Sequence, residues 1–293
     1  MNLAVTVLNI TAPVFLLAAV GYAWVKLGFE YRVEFVTRLA MTLSVPCLIF
    51  VALIETEIEA DALAALSLAS FAAYALVTFA FAAVVAVWKL DKATYLAPLI
   101  FGNTGNLGLP LALFAFGEIG LGYAVIVFAV MAILSFTFGV WLVSGGGSLV
   151  KVVKEPLVAA TILGAIFLWQ GWRPPEFLFN SLDLIGQMAI PIMLITLGVA
   201  IARLEIQAVS QAIVLSVIKV VVCVACAWGV AVWFELDPTA SAVLIVQVAT
   251  PVAVTSYLLA EKYGADAQPV AGLVVVSTLI SVITLPLILS FVI

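Results

Sequence analysis

The most unusual segment of the sequence runs from Gly102 to Pro110 and reads "GNTGNLGLP". It holds two asparagines, a threonine, three glycines and a proline, yet it lies inside an apolar run long enough to cross a bilayer. Hydrocarbon offers no partner to a freed backbone group, so irregular backbone at membrane depth must face protein or a water-filled cavity. The stretch therefore predicts a polar break inside a membrane-spanning helix.

Composition identifies the chain as a membrane protein. Of its 293 residues 66% are hydrophobic and 9% are charged, whereas soluble domains are roughly 45–50% apolar. Mean hydropathy is +1.34, and apolar runs of about 20 residues, enough for a spanning helix, recur along the chain. The first run, Leu3 to Val25, is too long for a signal peptide and lacks a basic segment before it, which predicts a retained span. The expected fold class is an all-α polytopic membrane protein.

Charged or Gly/Pro-rich breaks divide the apolar sequence into ten predicted transmembrane helices. The predicted spans are 3–26, 34–54, 61–88, 93–116, 119–143, 155–172, 180–201, 208–234, 239–261 and 268–292.

The basic residues predict the orientation of these spans. Nine of the eleven fall on one side, Arg173 lies opposite, and Lys219 lies in mid-span. The nine are Lys26, Arg32, Arg38, Lys89, Lys92, Lys151, Lys154, Arg203 and Lys262. Basic residues favour the cytoplasmic side. The sequence thus predicts a multi-pass protein of the plasma or inner membrane with both termini outside the cytoplasm.

Prolines indicate an internal repeat. Pro13, Pro46 and Pro110 match Pro156, Pro191 and Pro251 at offsets of 143, 145 and 141. We divide the chain at the Gly145–Gly147 linker into residues 1–147 and 148–293, with five spans each. An odd number of spans means that the second copy enters the membrane from the opposite face, and such inverted repeats are typical of transporters.

Two amides stand at matching positions in this repeat. Asn106 precedes Pro110 by four residues, and Gln247 precedes Pro251 by four. A proline inside a helix removes a backbone donor and clashes with the preceding turn, so both spans are expected to break there. Two such breaks would point half-helix N-termini, which carry partial positive charge, at an anionic solute. The alternative is that these amides and glycines only pack helices together.

The chain resembles the auxin efflux carrier family, which includes bacterial organic-acid permeases. The matching motifs are "GNTGNLGLP", "FGEIG" (Phe116–Gly120), "IPIMLITLG" (Ile190–Gly198) and "QVATPVAVTSYLLAEKYGAD" (Gln247–Asp266). The resemblance implies a fold like that of the bile-acid symporters, with two inverted five-helix repeats and broken fourth and ninth helices that cross. It also implies a scaffold half (spans 1, 2, 6 and 7), a transport half (spans 3–5 and 8–10), and a homodimer formed through the scaffold half.

The candidate residues fall into three sets. The predicted substrate-binding residues are Asn103, Asn106, Gln247, Thr250 and Lys219. The predicted helix-break residues are Gly105, Pro110 and Pro251. Thr104 and Thr255 are possible ion-binding residues.

Lys219 has two readings. It lies deep in the eighth span, where a charge costs at least roughly 2.5–3.5 kcal/mol, so it is either a fixed positive charge at the crossing or a side chain that reaches to the interface. No Asp, Glu or His lies in mid-span, so an obvious proton relay is missing.

The expected function is secondary transport of a small organic anion, a mono- or dicarboxylate or an auxin-like weak acid, by alternating access and driven by membrane potential. Sodium- or proton-coupled symport and a passive channel are the alternatives. An enzyme is not expected, because no catalytic constellation is visible. The expected partners are the anion and the lipid bilayer, not nucleic acid. Cys223-x-x-Cys226 without any histidine is a poor zinc site, so neither a metal nor a cofactor is predicted.

Overall fold

The structure, a computed structural model, describes residues 3–55, 60–144, 156–204 and 209–293. The Gly145–Gly147 linker, Lys151 and Lys154 lie outside the described residues. The described residues form helices. The single strand-like pairing among them is an antiparallel bridge between Gly102 and Val252. The prediction of an all-helical chain is confirmed over this part of the protein.

Seven helices form the first half of the described chain. They are α1 (Leu3–Lys26), α2 (Val33–Leu39), α3 (Val45–Glu55), α4 (Ala60–Val87), α5 (Lys92–Ile100), α6 (Leu109–Leu134) and α7 (Val140–Ser144). Three π-helical turns, Ala40–Ser44, Thr104–Gly108 and Ser135–Gly139, join α2 to α3, precede α6, and join α6 to α7.

Another seven helices form the second half. They are α8 (Pro156–Gln170), α9 (Glu176–Gln187), α10 (Ala189–Arg203), α11 (Val209–Trp233), α12 (Pro238–Val248), α13 (Val254–Tyr263) and α14 (Ala267–Val292).

Seven stretches of the described residues are long and apolar enough to cross a membrane. They are Val5–Lys26, Val33–Glu55, Asp61–Val87, Thr104–Ser144, Glu176–Arg203, Val209–Trp233 and Ala267–Val292. Two shorter apolar helices, Ala159–Gln170 and Pro238–Val248, accompany them. The chain is therefore a polytopic helical membrane protein.

The stretch Thr104–Ser144 contains a turn. Gly117 has φ 65° and ψ −155°, which is not helical geometry. Glycine lacks the Cβ that makes positive φ costly, so it permits this turn inside an otherwise helical stretch. The chain therefore changes direction between Leu109–Phe116 and the rest of α6, where the sequence predicted the boundary of two spans.

The helices pack in two sets. In one, α1 lies along α10, and α3 packs against α8 and α9. In the other, α11 packs against α14, α12 and α4, while α6 packs against α4 and α12. Contacts of α1 with α6 and α14 and of α3 with α6 join the two sets.

The connections lie at two ends. One end, called here the basic end, carries Lys26, Arg32, Lys89, Arg203 and Lys262 in or beside its connections. Hydrogen bonds join these connections in two pairs: Arg203 Nη2 donates to Tyr31 O over 2.6 Å, and Asp266 N donates to Thr94 Oγ1 over 3.3 Å. At the opposite end, Tyr123 Oη donates to Asp237 Oδ2 over 2.8 Å.

Candidate functional site

Two helices are interrupted inside the molecule. The first begins at the basic end, where Asp91 caps α5 by accepting from Thr94 N over 2.8 Å, and α5 ends before the extended residue Phe101. The second begins at the opposite end, where Asp237 caps α12 by accepting from Thr239 N and Ala240 N. Helix resumes at Thr104 in the first case and at Val254 in the second. Each of the two interruptions is thus only a few residues long.

The two interruptions cross each other in direct backbone contact. Asn103 N donates to Pro251 O over 2.7 Å, next to the bridge between Gly102 and Val252. Val252 N donates to Ser277 Oγ on α14 over 3.0 Å. A Cβ on Gly102 would overlap Thr250 Oγ1. The crossing therefore requires glycine at position 102, and it satisfies part of the backbone that the breaks expose.

A pocket lies beside the crossing and extends from it towards the basic end. Its floor is formed by the crossing and the starts of the resumed helices, namely Gly102, Asn103, Gly105, Asn106, Ala253, Val254, Thr255 and Leu258. Its walls come from α2, the π-helical turn after it and α10 on one side, and from α6 with the following π-helical turn on the other. These residues are Val33, Thr37, Ala40, Met41, Met193, Thr196, Phe128, Met131, Ala132, Ser135 and Phe136.

Two helix N-termini face this pocket. Neither N-terminal cap is made by a side chain: Asn103 precedes the π-helical turn without capping it, and Ala253 has no capping group. The first backbone N–H groups of a helix lack partners within the helix. Each N-terminus carries the equivalent of roughly half a positive charge, so the pair presents about one. Such a site suits an anion.

An amide that lines the pocket has a donor without a partner among the described residues. The Asn103 side chain is 5% exposed, and its Nδ2 has no hydrogen-bond partner among the described residues. Buried polar groups normally have partners. Since Asn103 also lines the pocket, this donor is available to a bound solute.

The remaining walls are mostly apolar. Met41, Met131 and Met193 come from three different segments, and Phe128 and Phe136 lie on the side of α6. No charged residue occurs among the described lining residues. Methionine is flexible and polarisable and makes favourable contacts with aromatic rings. The pocket thus combines a polar floor with walls suited to an apolar or aromatic group.

A tyrosine outside the pocket is hydrogen-bonded to one of its lining residues. Tyr31, between α1 and α2, shares a 2.7 Å hydrogen bond with the Oγ1 of the lining residue Thr196. Arg203 donates to the Tyr31 carbonyl. Burial raises the pKa of the Tyr31 phenol above its ordinary value, while the Thr196 hydrogen bond opposes the rise. The phenol is therefore neutral at physiological pH.

The structure brings four of the predicted residues to the pocket and places four behind the crossing. Asn103, Gly105, Asn106 and Thr255 line the pocket. Thr104, Lys219, Gln247 and Thr250 are buried without lining it.

The two predicted break prolines differ in position. Pro251 lies in the non-helical segment between α12 and α13. Pro110 lies near the start of α6, directly after the π-helical turn Thr104–Gly108, and the break itself lies at Phe101–Asn103. Asn106 and Gln247 also differ, because Asn106 follows its break and Gln247 precedes the other.

Lys219 is buried and faces the end of α5. Its side chain is 1% exposed, and Nζ donates to Leu99 O over 2.8 Å. Leu99 lies in the last turn of α5, three residues before Gly102 of the pocket floor. Lys219 therefore contacts the crossing from behind and does not reach the interface.

Sequence reasoning missed the walls of the pocket. Met193 and Thr196 lie within the quoted motif "IPIMLITLG", which pointed to α10 without assigning residues. Thr37, Phe128 and Ser135 lie in spans without any unusual motif. No local sequence feature distinguishes them from residues that only pack helices together.

The chain is similar to membrane transporters. The sequence pattern of a family described as membrane transport protein matches residues 6–151 and 142–289. A protein named an uncharacterized transporter from Methanocaldococcus jannaschii is 27% identical over 199 residues, which are 64% of each chain. A Rhizobium meliloti protein with a provisional name as a malonate transporter is 24% identical over 202 residues, 63% of this chain and 62% of that one. The match thus spans somewhat less than two thirds of these relatives.

Proposed function

The chain belongs to the membrane transport protein family, and on this premise we propose that it is a secondary transporter that carries a small organic anion by alternating access. The observation that supports this most directly is the pair of helix N-termini facing one pocket. Broken helices that present N-termini to an anionic group are a recurrent way to build transporter sites.

The proposed solute has one negative charge and an apolar body. Two N-termini supply the equivalent of about one positive charge, and no charged side chain among the described lining residues adds a second. A carboxylate would accept from the free N–H groups of the floor and from Asn103 Nδ2. Its apolar body would lie against the methionines and phenylalanines of the walls. A dicarboxylate such as malonate would bind best with one carboxyl protonated.

The proposed architecture is ten spans in two inverted five-helix repeats. Six of the seven long apolar stretches supply one span each. The seventh, Thr104–Ser144, supplies the second part of the fourth span and the whole of the fifth. The shorter α8 and the broken pairs α5–α6 and α12–α13 account for the others. One interrupted helix, α5, starts at the basic end, and the other, α12, starts at the opposite end. An inverted repeat requires this arrangement.

We assign the two packing sets to the proposed halves. The scaffold half is α1–α3 with α8–α10, and the transport half is α4–α7 with α11–α14. The long-range hydrogen bonds described above each join helices of the same half, as with Tyr31 and Thr196 or Lys219 and Leu99. The pocket lies between the halves, since α2 and α10 form one wall. The solute would be held at the boundary between the two halves. Sliding of one half along the other, across apolar contacts, would then carry the solute through the membrane by alternating access.

Orientation gives a direct test of topology. Basic residues mark the cytoplasmic side, so the pocket of this structure would open to the cytoplasm. In a protein with Cys47, Cys223 and Cys226 replaced by serine, Asp61→Cys should react with an impermeant maleimide added outside intact cells, and Lys92→Cys should not. The reverse labelling pattern would overturn the proposed orientation.

Substitution of a pocket amide tests the site. We expect Asn106→Ala to weaken solute binding by about 1–3 kcal/mol, the cost of leaving a buried polar partner unpaired, or roughly 5- to 150-fold in Kd. Binding of a labelled arylacetate to the purified protein measures this. Asn180→Ala is the matched control, because Asn180 is exposed on α9, away from the pocket.

The solute class is tested in the same assay. We expect the arylacetate to bind more tightly than malonate at neutral pH and the malonate affinity to rise as the pH falls. Wild-type affinity in Asn106→Ala would reject the pocket as the solute site. Tighter binding of the malonate dianion would reject the monoanion while leaving the pocket in place.

A further inference from the structure

The two half-helices that end at the crossing are stabilised in different ways. The end of α12 is satisfied locally: Thr250 Oγ1 donates to Gln247 O over 2.6 Å, and Thr250 N donates to the same oxygen. The end of α5 instead receives the side chain of Lys219, whose Nζ donates to Leu99 O over 2.8 Å. One helix end is thus capped by a threonine and the other by a buried lysine.

A protonated Lys219 is electrostatically suited to this position. A helix C-terminus carries the equivalent of roughly half a negative charge, and cations stabilise it. The single ion pair among the described residues joins Arg32 to Glu30 at the surface, so no described carboxylate pairs with Lys219. The carbonyl end of α5 is therefore the group of opposite charge that this ammonium contacts.

A diffusible cation often fills this role in transporters with broken helices. There, unwound carbonyls and the C-terminal ends of half-helices coordinate sodium or a proton carrier, and release of that cation couples its gradient to transport. In this protein the corresponding position is held by a covalently attached ammonium. Lys219 on α11 and Leu99 on α5 also belong to the same proposed half, so their contact would persist as that half moves.

We propose that Lys219 stays protonated against the carbonyl end of α5 and is a resident cation that takes the place of a coupling ion there, which makes the carrier independent of any ion gradient. The proposal rests on the proposed transport function and adds to it. Lys219 acts as a positioning residue: it holds the helix end that leads into Gly102 and Asn103, and it does not touch the solute. Its removal should create a requirement for a small free cation.

The test compares two variants that remove the charge in different ways. Lys219→Ala leaves space beside Leu99, whereas Lys219→Met fills the space with an uncharged chain of similar length. With choline as the sole cation, both should transport an arylacetate about 10- to 100-fold more slowly than wild type, as expected when a charge-assisted hydrogen bond is lost. Methylammonium or sodium should restore Lys219→Ala but not Lys219→Met.

The matched control is Ser216→Ala, which lies one turn earlier on α11 and is also fully buried. This variant and wild type should transport equally well with choline, sodium or methylammonium. Full activity of Lys219→Ala in choline would overturn the proposal, as would strict dependence of the wild-type protein on sodium. Failure of every small cation to restore folded Lys219→Ala would overturn it too.

A second readout does not depend on transport. Small cations should raise the thermal unfolding midpoint of detergent-purified Lys219→Ala and leave that of wild type and Ser216→Ala unchanged, because a ligand stabilises the state that binds it. Absence of that rise would overturn the resident cation even if Lys219→Ala were poorly folded in choline. Absence of anion transport by wild type, together with the cation-dependent rise, would overturn the transport proposal alone.

Discussion

Replacement of Gly102 with alanine is expected to abolish transport. The new Cβ would overlap Thr250 Oγ1 and lie 3.0 Å from Thr250 O, and Thr250 is a fully buried β-branched residue with little freedom to move. The two non-helical segments at the crossing would have to separate, which would lengthen the hydrogen bond from Asn103 N to Pro251 O. Overpacking of this kind lowers the folding stability by about 1–3 kcal/mol. Here it would also distort the pocket floor, which Gly102 and Asn103 help to form.

The measurements are uptake of a labelled arylacetate into proteoliposomes and the thermal unfolding midpoint of the detergent-purified protein. Gly229→Ala is the matched control, since a Cβ there meets no other atom within 4 Å and alanine is the better helix former by roughly 0.5–1 kcal/mol. It should keep wild-type transport and a wild-type or higher midpoint. Wild-type transport by Gly102→Ala would show that the close crossing is dispensable.

Composition and the recurrence of long apolar runs predicted the membrane class well, because those signals are summed over many residues. The location of the first break was harder. A proline in an apolar run predicts a break at Pro110, yet the π-helical turn Thr104–Gly108 and the first turn of α6 accommodate it there. The break lies instead at Phe101–Asn103, where the local sequence offers only Gly102 and Asn103 as signals. Tertiary contact with Pro251 decides the position.

The two helix breaks lie further apart in the sequence than Pro110 and Pro251 do. The two prolines differ by 141 positions, whereas the capping residues Asp91 and Asp237 differ by 146 and the bridged residues Gly102 and Val252 by 150. Asp91 and Asp237 mark the starts of the two interrupted helices directly, because each accepts from the first backbone N–H groups of its helix. This is why Asn106 and Gln247 face different surroundings.

The pocket walls could not be predicted from the sequence. A methionine in an apolar span packs equally well against lipid, another helix or a solute, and only the tertiary arrangement brings Met41, Met131 and Met193 together. Burial of Lys219, by contrast, was one of two readings that the sequence left open. Its hydrogen bond to Leu99 O favours the fixed charge at the crossing.

Membrane potential is expected to drive transport by itself. In the proposed cycle a monoanion crosses with no carboxylate or histidine in mid-span to carry a compensating proton, and Lys219 returns with the transport half after each turnover. Each cycle then moves one net negative charge. That charge is worth about 2.3 kcal/mol per 100 mV, so a potential of about 100 mV should sustain roughly a 50-fold concentration ratio at equilibrium. An inside-negative cell would therefore export the anion.

The decisive measurement is current on a solid-supported membrane after a jump in arylacetate concentration, in sodium-free buffer and across a pH series. We expect a substrate-dependent current that persists without sodium or a pH gradient and reverses with the direction of the solute gradient. Asn106→Ala should lower the current at subsaturating arylacetate, while Asn180→Ala should not. Electroneutral uptake that leaves the current at baseline would mean that a counter-ion crosses with the solute, and the charge balance inferred from the pocket would then be incorrect.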